Sequence, residues 1–260
     1  MILAVDHLAK RFPGGVEAVS DVSFRAGEGE LIALVGESGC GKTTTLKCIN
    51  RLLEPSGGRV LVEDEDIQSL DPVALRRRIG WVMQGDGLFP HMTAAENIAV
   101  GPKLAGWTRA QISARVDELL LLVRLDPGEY RDRRPDSLSG GQRQRIGVAR
   151  ALATAPRLVL MDEPFGALDP RTRAALRRDF LELQDRMGFA GVLVTHDMAE
   201  ALLAADRIAV MHEGRILQYG APDVLLNAPA HPIVEAMLES PVQEAGSIDR
   251  LRRAGTGDEP

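Results

Sequence analysis

Gly36-Glu37-Ser38-Gly39-Cys40-Gly41-Lys42-Thr43 decides the reading of this chain. The octet has the phosphate-loop pattern, in which two glycines bracket four residues and Lys-Thr follows. Before it stands the apolar run Glu30-Leu31-Ile32-Ala33-Leu34-Val35, read as a strand. After it, Thr43 to Leu53 reads as a helix stopped by Pro55 and Gly57-Gly58. Strand, loop and helix in that order are what phosphate binding requires. The glycines let successive N–H groups converge on phosphate oxygens, beside the positive end of the following helix. In this reading Lys42 reaches the β- and γ-phosphates of a nucleotide, and the Thr43 hydroxyl binds Mg²⁺. Composition alone would yield such an octet in roughly three chains per thousand, so the flanks carry much of the assignment.

A second element completes the first. Arg157-Leu158-Val159-Leu160-Met161-Asp162-Glu163 reads as a buried strand ending in two carboxylates. Taken alone, such an ending is a common solvated strand terminus. Beside a phosphate loop, Asp162 is expected to hold Mg²⁺. Glu163 points the other way and can face an attacking water. Leu138-Ser139-Gly140-Gly141-Gln142 is rarer still, expected by composition in only about four chains per ten thousand. Ser139 reads as an N-cap, and Gly140 and Gly141 expose the first N–H groups of a helix, which makes an anion site suited to a γ-phosphate.

Around these motifs the chain reads as an α/β core interrupted by a helical insertion from about Gly85 to Ala155. Further strands are expected at Val16 to Arg25, Arg59 to Val62, Ile79 to Met83 and Gly191 to Thr195. A hairpin is expected from Arg207 to Gly220, turning at His212-Glu213-Gly214. Inside the insertion, Thr93-Ala94-Ala95-Glu96 and Thr108-Arg109-Ala110-Gln111 are capping-box patterns. The helix opened by Thr108 runs to about Leu125, and the one opened by Ser139 ends at Pro156. Cys40 and Cys48 are read into one helix, too far apart for a disulfide.

Composition excludes several classes. Hydrophobic residues make up 45% and charged residues 26%, as in ordinary folded proteins, and no apolar run is long enough to span a bilayer. The formal net charge is −6, so no excess positive charge draws the chain to nucleic acid. The start, Met1 to His7, lacks the pattern of a signal peptide. The arginine clusters Arg76–Arg78, Arg131–Arg134 and Arg171–Arg178 have neighbouring acids and no interleaved aromatics, so they read as solvated faces and not as an RNA surface.

These motifs, in this order, resemble the ATP-binding subunits of ABC transporters, over nearly the whole chain to about Ser240. The resemblance implies a P-loop NTPase core: a RecA-like parallel sheet with flanking helices and an N-terminal antiparallel β subdomain, into which an α-helical subdomain is inserted. It divides residues 1–240 into a core of 1–84 and 156–240 and a helical part of about 85–155, with 241–260 as a short tail. Phe12 then matches the aromatic that stacks on adenine, and Gly36, Glu37, Ser38, Gly39, Cys40, Gly41, Lys42, Thr43 and Thr44 form the rest of the ATP-binding set. Gln84 matches the glutamine that touches Mg²⁺ and water and senses the permease, so that Thr43, Gln84 and Asp162 form the metal set. Lys42, Gln84, Glu163 and His196 form the catalytic set, with His196 contacting the γ-phosphate. Asp169, in Gly166-Ala167-Leu168-Asp169, matches a loop that crosses a dimer interface. Two such subunits pair head-to-tail, Ser139, Gly140, Gly141 and Gln142 of one closing over ATP held by Lys42 of the other. The implied partners are a second ATPase subunit, transmembrane permease subunits and, indirectly, an extracytoplasmic solute-binding protein. The implied location is the cytoplasmic face of the membrane.

Two further stretches narrow the resemblance. Ile49 to Gly58, and Ile79-Gly80-Trp81-Val82-Met83-Gln84-Gly85-Asp86-Gly87-Leu88-Phe89-Pro90-His91-Met92-Thr93 continuing to Trp107, are similar to importers of glycine betaine, choline, carnitine or proline. Gly85-Asp86 departs from the usual second glutamine, and Glu63-Asp64-Glu65-Asp66 from the usual glycine-containing turn. An importer of amino acids or other small solutes is the alternative, and a soluble ABC ATPase outside transport a more distant one. Cys40, in the phosphate loop, reads either as a reactive thiol whose alkylation blocks nucleotide binding and which Mg-ATP protects, or as an inert buried cysteine. Some of the proteins resembled continue into a tandem CBS module linked to ionic-strength control. Pro241 to Pro260 is too short for a folded domain, so no salt sensor is expected in this chain.

Overall fold

Strand β3 (Leu31–Val35), buried at every residue, lies in the central sheet of the computed structural model, which describes residues 1–85, 87–166, 168–239 and 241–243. Before it come β1 (Leu3–Arg11) and β2 (Glu17–Ala26). After it come α1 (Lys42–Ile49), β4 (Gly57–Val62), β5 (Glu65–Asp66), α2 (Pro72–Arg78) and β6 (Ile79–Val82). A helical stretch follows: α3 (Ala94–Ile98), α4 (Val100–Leu104), α5 (Arg109–Leu122), α6 (Pro127–Tyr130) and α7 (Gly140–Ala151). The chain then alternates through β7 (Leu158–Asp162), α8 (Pro170–Met187), β8 (Ala190–Thr195) and α9 (Met198–Ala204). It closes with the hairpin β9 (Arg207–His212) and β10 (Arg215–Gly220), then α10 (Pro222–Asn227) and a helical segment over 232–239.

The described strands form one sheet in the order β5-β4-β1-β2-β10-β9-β3-β8-β7-β6. From β9 through β3, β8 and β7 to β6 every pairing is parallel, and β3, β7 and β8 are apolar runs buried on both faces. The N-terminal strands β1, β2, β4 and β5 pair antiparallel. The core is thus the α/β arrangement expected, with antiparallel strands at the N-terminal side and helices α3 to α7 inserted between β6 and β7. No helix among the described residues is long and apolar enough to cross a membrane.

Local chemistry starts the inserted helices. Thr93 with Glu96, Thr108 with Gln111, and Ser139 with Gln142 all form complete capping boxes, each satisfying N–H groups that a helix start leaves without partners. The apolar faces of α3, α5 and α7 pack with α8 around Phe165, Phe180 and Phe189, whose rings meet edge to face at 6.1 and 5.8 Å. At the start of that stretch, Asn97 is wholly buried. Its side-chain amide donates to the carbonyls of Phe89, Met92 and Thr93, and its Oδ1 accepts the Phe89 N–H at 2.8 Å.

Three helix boundaries correct the sequence reading. Helix α1 ends at Ile49, not Leu53, because Arg51 turns left-handed (φ 53°) and the Leu53 N–H returns to the Lys47 carbonyl. Gly57 and Gly58 are therefore part of β4 and not a helix stop. Helix α5 ends at Leu122, three residues short of expectation, with Arg124 left-handed (φ 59°). Helix α7 ends at Ala151, not at Pro156. Cys40 lies in the loop before α1, so it shares no helix with Cys48. The acidic turn Glu63–Asp66 is met by basic groups: Arg78 pairs with Glu63 and Glu65, Arg59 with Asp66, and the amino terminus with Asp64. Asp86, Ala167, Ser240 and 244–260 lie outside the described residues, and with them the Gly85-Asp86 departure and nearly all of the expected tail.

Candidate functional site

The parallel strands deliver the site. In register, Val82 of β6 faces Met161 of β7, Asp162 faces Val194 of β8, and Thr195 faces Val35 of β3. Residues that follow these four strands therefore emerge along one edge, where ligands bind in open parallel sheets. Gly36 to Lys42 follows β3, Gln84 follows β6, Glu163 follows β7 and His196 follows β8.

Packing explains the loop's glycines. A Cβ on Gly41, which has φ 106°, would stand 2.4 Å from the Ala18 carbonyl oxygen. One on Gly36 would stand 2.2 Å from the Met211 carbonyl oxygen. Glu37, Ser38 and Gly39 are exposed between buried Gly36 and Cys40, and Thr44 is half-buried on α1. Lys42 is buried, and its Nζ donates to the carbonyls of Gly36 at 2.6 Å and Glu37 at 2.8 Å. Cys40 is only 5% exposed, its Sγ 3.6 Å from that Nζ, which limits its access to reagents.

The expected metal and catalytic residues come together. Thr43 Oγ1 donates to Asp162 Oδ1 at 2.9 Å. Burial pushes the Asp162 carboxyl above the ordinary carboxylate range, the Thr43 hydrogen bond pulls it back, and Glu163 adds to the upward push. A cation there would favour the charged carboxylate that burial disfavours. Hydroxyl and carboxylate oxygens are the donors Mg²⁺ takes alongside substrate phosphates, and Gln84 lines the same cavity, so the set fits that ion. Next to it, Gln84 Nε2 donates to Glu163 Oε2 at 3.2 Å, and His196 Nδ1 lies 3.3 Å from Glu163 Oε1. Glu163 itself has a left-handed backbone (φ 45°), with its N–H held by the Val194 carbonyl. A carboxylate held on both sides in this way can accept a proton from water or align it.

Phe12 is half-buried just past β1, with Lys10 Nζ 5.3 Å from its ring centre. Ser139, Gly140, Gly141 and Gln142 stand elsewhere, at the start of α7. There Ser139 and Gln142 bond each other, and Gln142 Nε2 donates to Tyr130 Oη at 3.0 Å. Asp169 caps α8, accepting from the N–H groups of Arg171 and Thr172 at 3.1 Å, and its hydrogen bonds to Thr172 hold its carboxyl below the ordinary range. Gly141 and α8 touch closely, since a Cβ on Gly141 would stand 2.8 Å from Thr172 Cγ2.

The ABC transporter family matches residues 19–166, more than half of the chain. The chain belongs to the ABC transporter family. This ABC protein is 49% identical over 254 residues to the glycine betaine/carnitine/choline transport ATP-binding protein OpuCA of Bacillus subtilis, covering 97% of this chain and 67% of that one. To the choline transport ATP-binding protein OpuBA of the same organism it is 52% identical over 237 residues, with coverages of 91% and 62%. It thus spans about two thirds of the length of these relatives. Among solved structures, the dimeric ATP-binding cassette MJ0796, bound to ADP and Pi in a post-hydrolysis state, resembles it with a TM-score of 0.76 at 30% identity. That match covers 85% of this chain and 99% of the other.

Among the buried polar residues of this ABC protein, Asn97, Asp179 and Glu200 carried no role in the sequence reading. Asp179 left a signal. It sits in the apolar stripe of Leu176, Phe180 and Leu183 on α8, where an unpaired carboxylate would be costly.

Proposed function

We propose that this chain is the ATP-hydrolysing, nucleotide-binding subunit of an ABC importer for an osmoprotectant such as glycine betaine, choline or proline. The convergence of Gln84 and His196 on Glu163, beside the Thr43–Asp162 pair, carries the ATPase reading. The names of the relatives, which specify glycine betaine, carnitine and choline, support the solute class. In this reading 1–84 and 156–240 act as the nucleotide-holding core and 85–155 as the helical subdomain.

Phe12 stacks on adenine, and the loop from Gly36 to Thr44 wraps the phosphates. Lys42 exchanges its bonds to the Gly36 and Glu37 carbonyls for the β- and γ-phosphate oxygens. Thr43, Asp162 and Gln84 would hold Mg²⁺, which would supply neutralising positive charge beside the phosphates. Glu163 aligns a water and accepts its proton as the water oxygen bonds to the γ-phosphorus. The bond to the bridging oxygen breaks, leaving ADP and phosphate. His196 orients Glu163 and contacts the γ-phosphate, and Lys42 stabilises the developing charge. Ser139 to Gln142 of one copy close over the ATP held by a second copy, with Asp169 at that interface. ATP-driven closure is passed to permease subunits at the cytoplasmic face, and an extracytoplasmic binding protein delivers the solute.

The test is ATP hydrolysis and uptake by proteoliposomes holding the complex with its permease and binding protein, offered glycine betaine, choline, proline or a polar amino acid. Stimulation by the first three is expected. Stimulation by the polar amino acid alone would overturn the solute class, and absence of hydrolysis would overturn the ATPase reading.

A further inference from the structure

Asp179, near the middle of α8, is a junction for three segments of the chain. It is 9% exposed and uses both carboxylate oxygens. Arg145 of α7 donates Nη2 to Oδ2 at 2.6 Å, while Arg124, just past α5, places Nη2 3.0 Å from Oδ1. The arginines are themselves tied down. Arg145 Nη1 donates to the Val123 carbonyl at 2.8 Å, and Arg124 Nη2 donates to Glu182 Oε2 at 2.7 Å. One buried carboxylate thus fastens the end of α5 and the side of α7 to α8.

The same two helices meet a second time near their starts. A Cβ on Gly141 would stand 2.8 Å from Thr172 Cγ2, so the glycine permits the close approach of α7 to the first turn of α8. Two separated contacts on one helix pair constrain more than one. The Gly141–Thr172 approach sets their spacing, and the Arg145–Asp179 pair sets how one helix is shifted along the other. What stands at those starts matters: Ser139 caps α7, and Asp169 caps α8.

We propose that Asp179 is a positioning residue which, through Arg145, fixes the register between α7 and α8 so that Ser139–Gln142 and Asp169 meet a partner subunit as one surface. This rests on the functional reading above, in which those residues close over the partner's ATP. Asp179 does not line the cavity that holds Thr43, Gln84 and Asp162. Its loss acts on the closed dimer and leaves nucleotide binding by Lys42 and Thr43 intact.

Two variants of the full chain test this: Asp179→Asn, and the double variant Asp179→Leu/Arg145→Met. Replacing a buried ion pair by apolar side chains of similar size commonly preserves or raises stability while removing the directional bonds. The measurements are melting temperature, affinity for a fluorescent ATP analogue, steady-state kcat and KM for ATP, and ATP-driven dimerisation in a Glu163→Gln background. Expected for the double variant are a parental melting temperature, affinity for the analogue within about twofold, kcat lowered about tenfold to 100-fold, and weakened dimerisation. Asp179→Asn should show the same kinetic loss with a lower melting temperature. Should it fail to fold, the double variant still decides. A double variant with parental kcat and dimerisation overturns the proposal while leaving the ATPase reading in place. Absence of hydrolysis in the unaltered chain overturns that reading instead.

Discussion

Thr43 Oγ1 donates a 2.9 Å hydrogen bond to Asp162 Oδ1, joining the first turn of α1 to the end of β7 across 119 positions of sequence. That bond seats the phosphate loop against the strand that carries Glu163, so the residues proposed to hold nucleotide and the residue proposed to act on water are joined in one framework. Changes at Glu163 should therefore separate binding from turnover.

Glu163→Gln is expected to abolish ATP hydrolysis and keep ATP binding, because it removes the proposed proton acceptor and leaves Lys42, Thr43 and Asp162 in place. Size-exclusion chromatography with Mg-ATP should show a stable dimer, while steady-state assays show turnover reduced at least about 100-fold. Hydrolysis at the parental rate would contradict the role given to Glu163.

Asn97→Ala is expected to lower stability by roughly 2–4 kcal/mol, since it strips three carbonyls and one N–H of their side-chain partner in a buried setting. For a domain of this size that corresponds to a fall of about 4–16 °C in melting temperature. Calorimetry would measure it. A change below about 1 °C would show that the Phe89–Thr93 turn holds without Asn97.

Glu200→Gln is expected to stabilise the protein at alkaline pH and not at acid pH. The Glu200 carboxyl is buried at 4% exposure, and its Oε1 has no hydrogen-bond partner among the described residues. Burial pushes its pKa up, opposed by a Thr195 hydrogen bond and by Arg173 and Arg177, while Asp197 adds to the rise. The folded state therefore favours the protonated form. That contribution is full below the ordinary carboxylate pKa and is lost as pH rises through the raised value. Melting curves should show the variant gaining about 2–4 °C at pH 8 and nothing near pH 4.5. A gain independent of pH would contradict this account.

The two thiols should differ. Cys48 is fully buried, and burial pushes its pKa up to about 11. Cys40 retains 5% exposure within the phosphate loop. Mass spectrometry after maleimide treatment of the folded protein should find slow labelling at Cys40 alone, further slowed by Mg-ATP, and labelling of Cys48 only after unfolding. Equal labelling of both would overturn the distinction.

Features set by neighbours in sequence were legible before the structure. The capping boxes expected at Thr93 and Thr108 formed, because each is closed by a residue three positions on, and Ser139, read as an N-cap, proved to close a third box with Gln142. The buried strands β3, β7 and β8 were equally clear as apolar runs. The end of α1 was not. Pro55 and the glycines drew the reading too far, whereas Arg51 turns the chain while its guanidinium binds the carbonyls of Ile67 and Leu70, partners no local pattern reveals. The candidate site divides the same way. Lys42, Thr43, Asp162 and Ser139 followed from motifs. Gln84 and His196 were placed by resemblance, and their meeting at Glu163 depends on β6, β7 and β8 being neighbours in the sheet. Asp179 depends on α5, α7 and α8 at once.

The left-handed backbone of Glu163 sets a trap for anyone hardening this protein against heat. A side chain with a Cβ pays about 1–2 kcal/mol for that conformation, whereas glycine adopts it freely and asparagine more readily than glutamate. A library ranked only by resistance to unfolding would drift toward glycine or asparagine at 163. Given the role proposed for Glu163, it would enrich sturdy molecules with impaired turnover. Any such campaign on this scaffold has to score catalysis in the same round as survival.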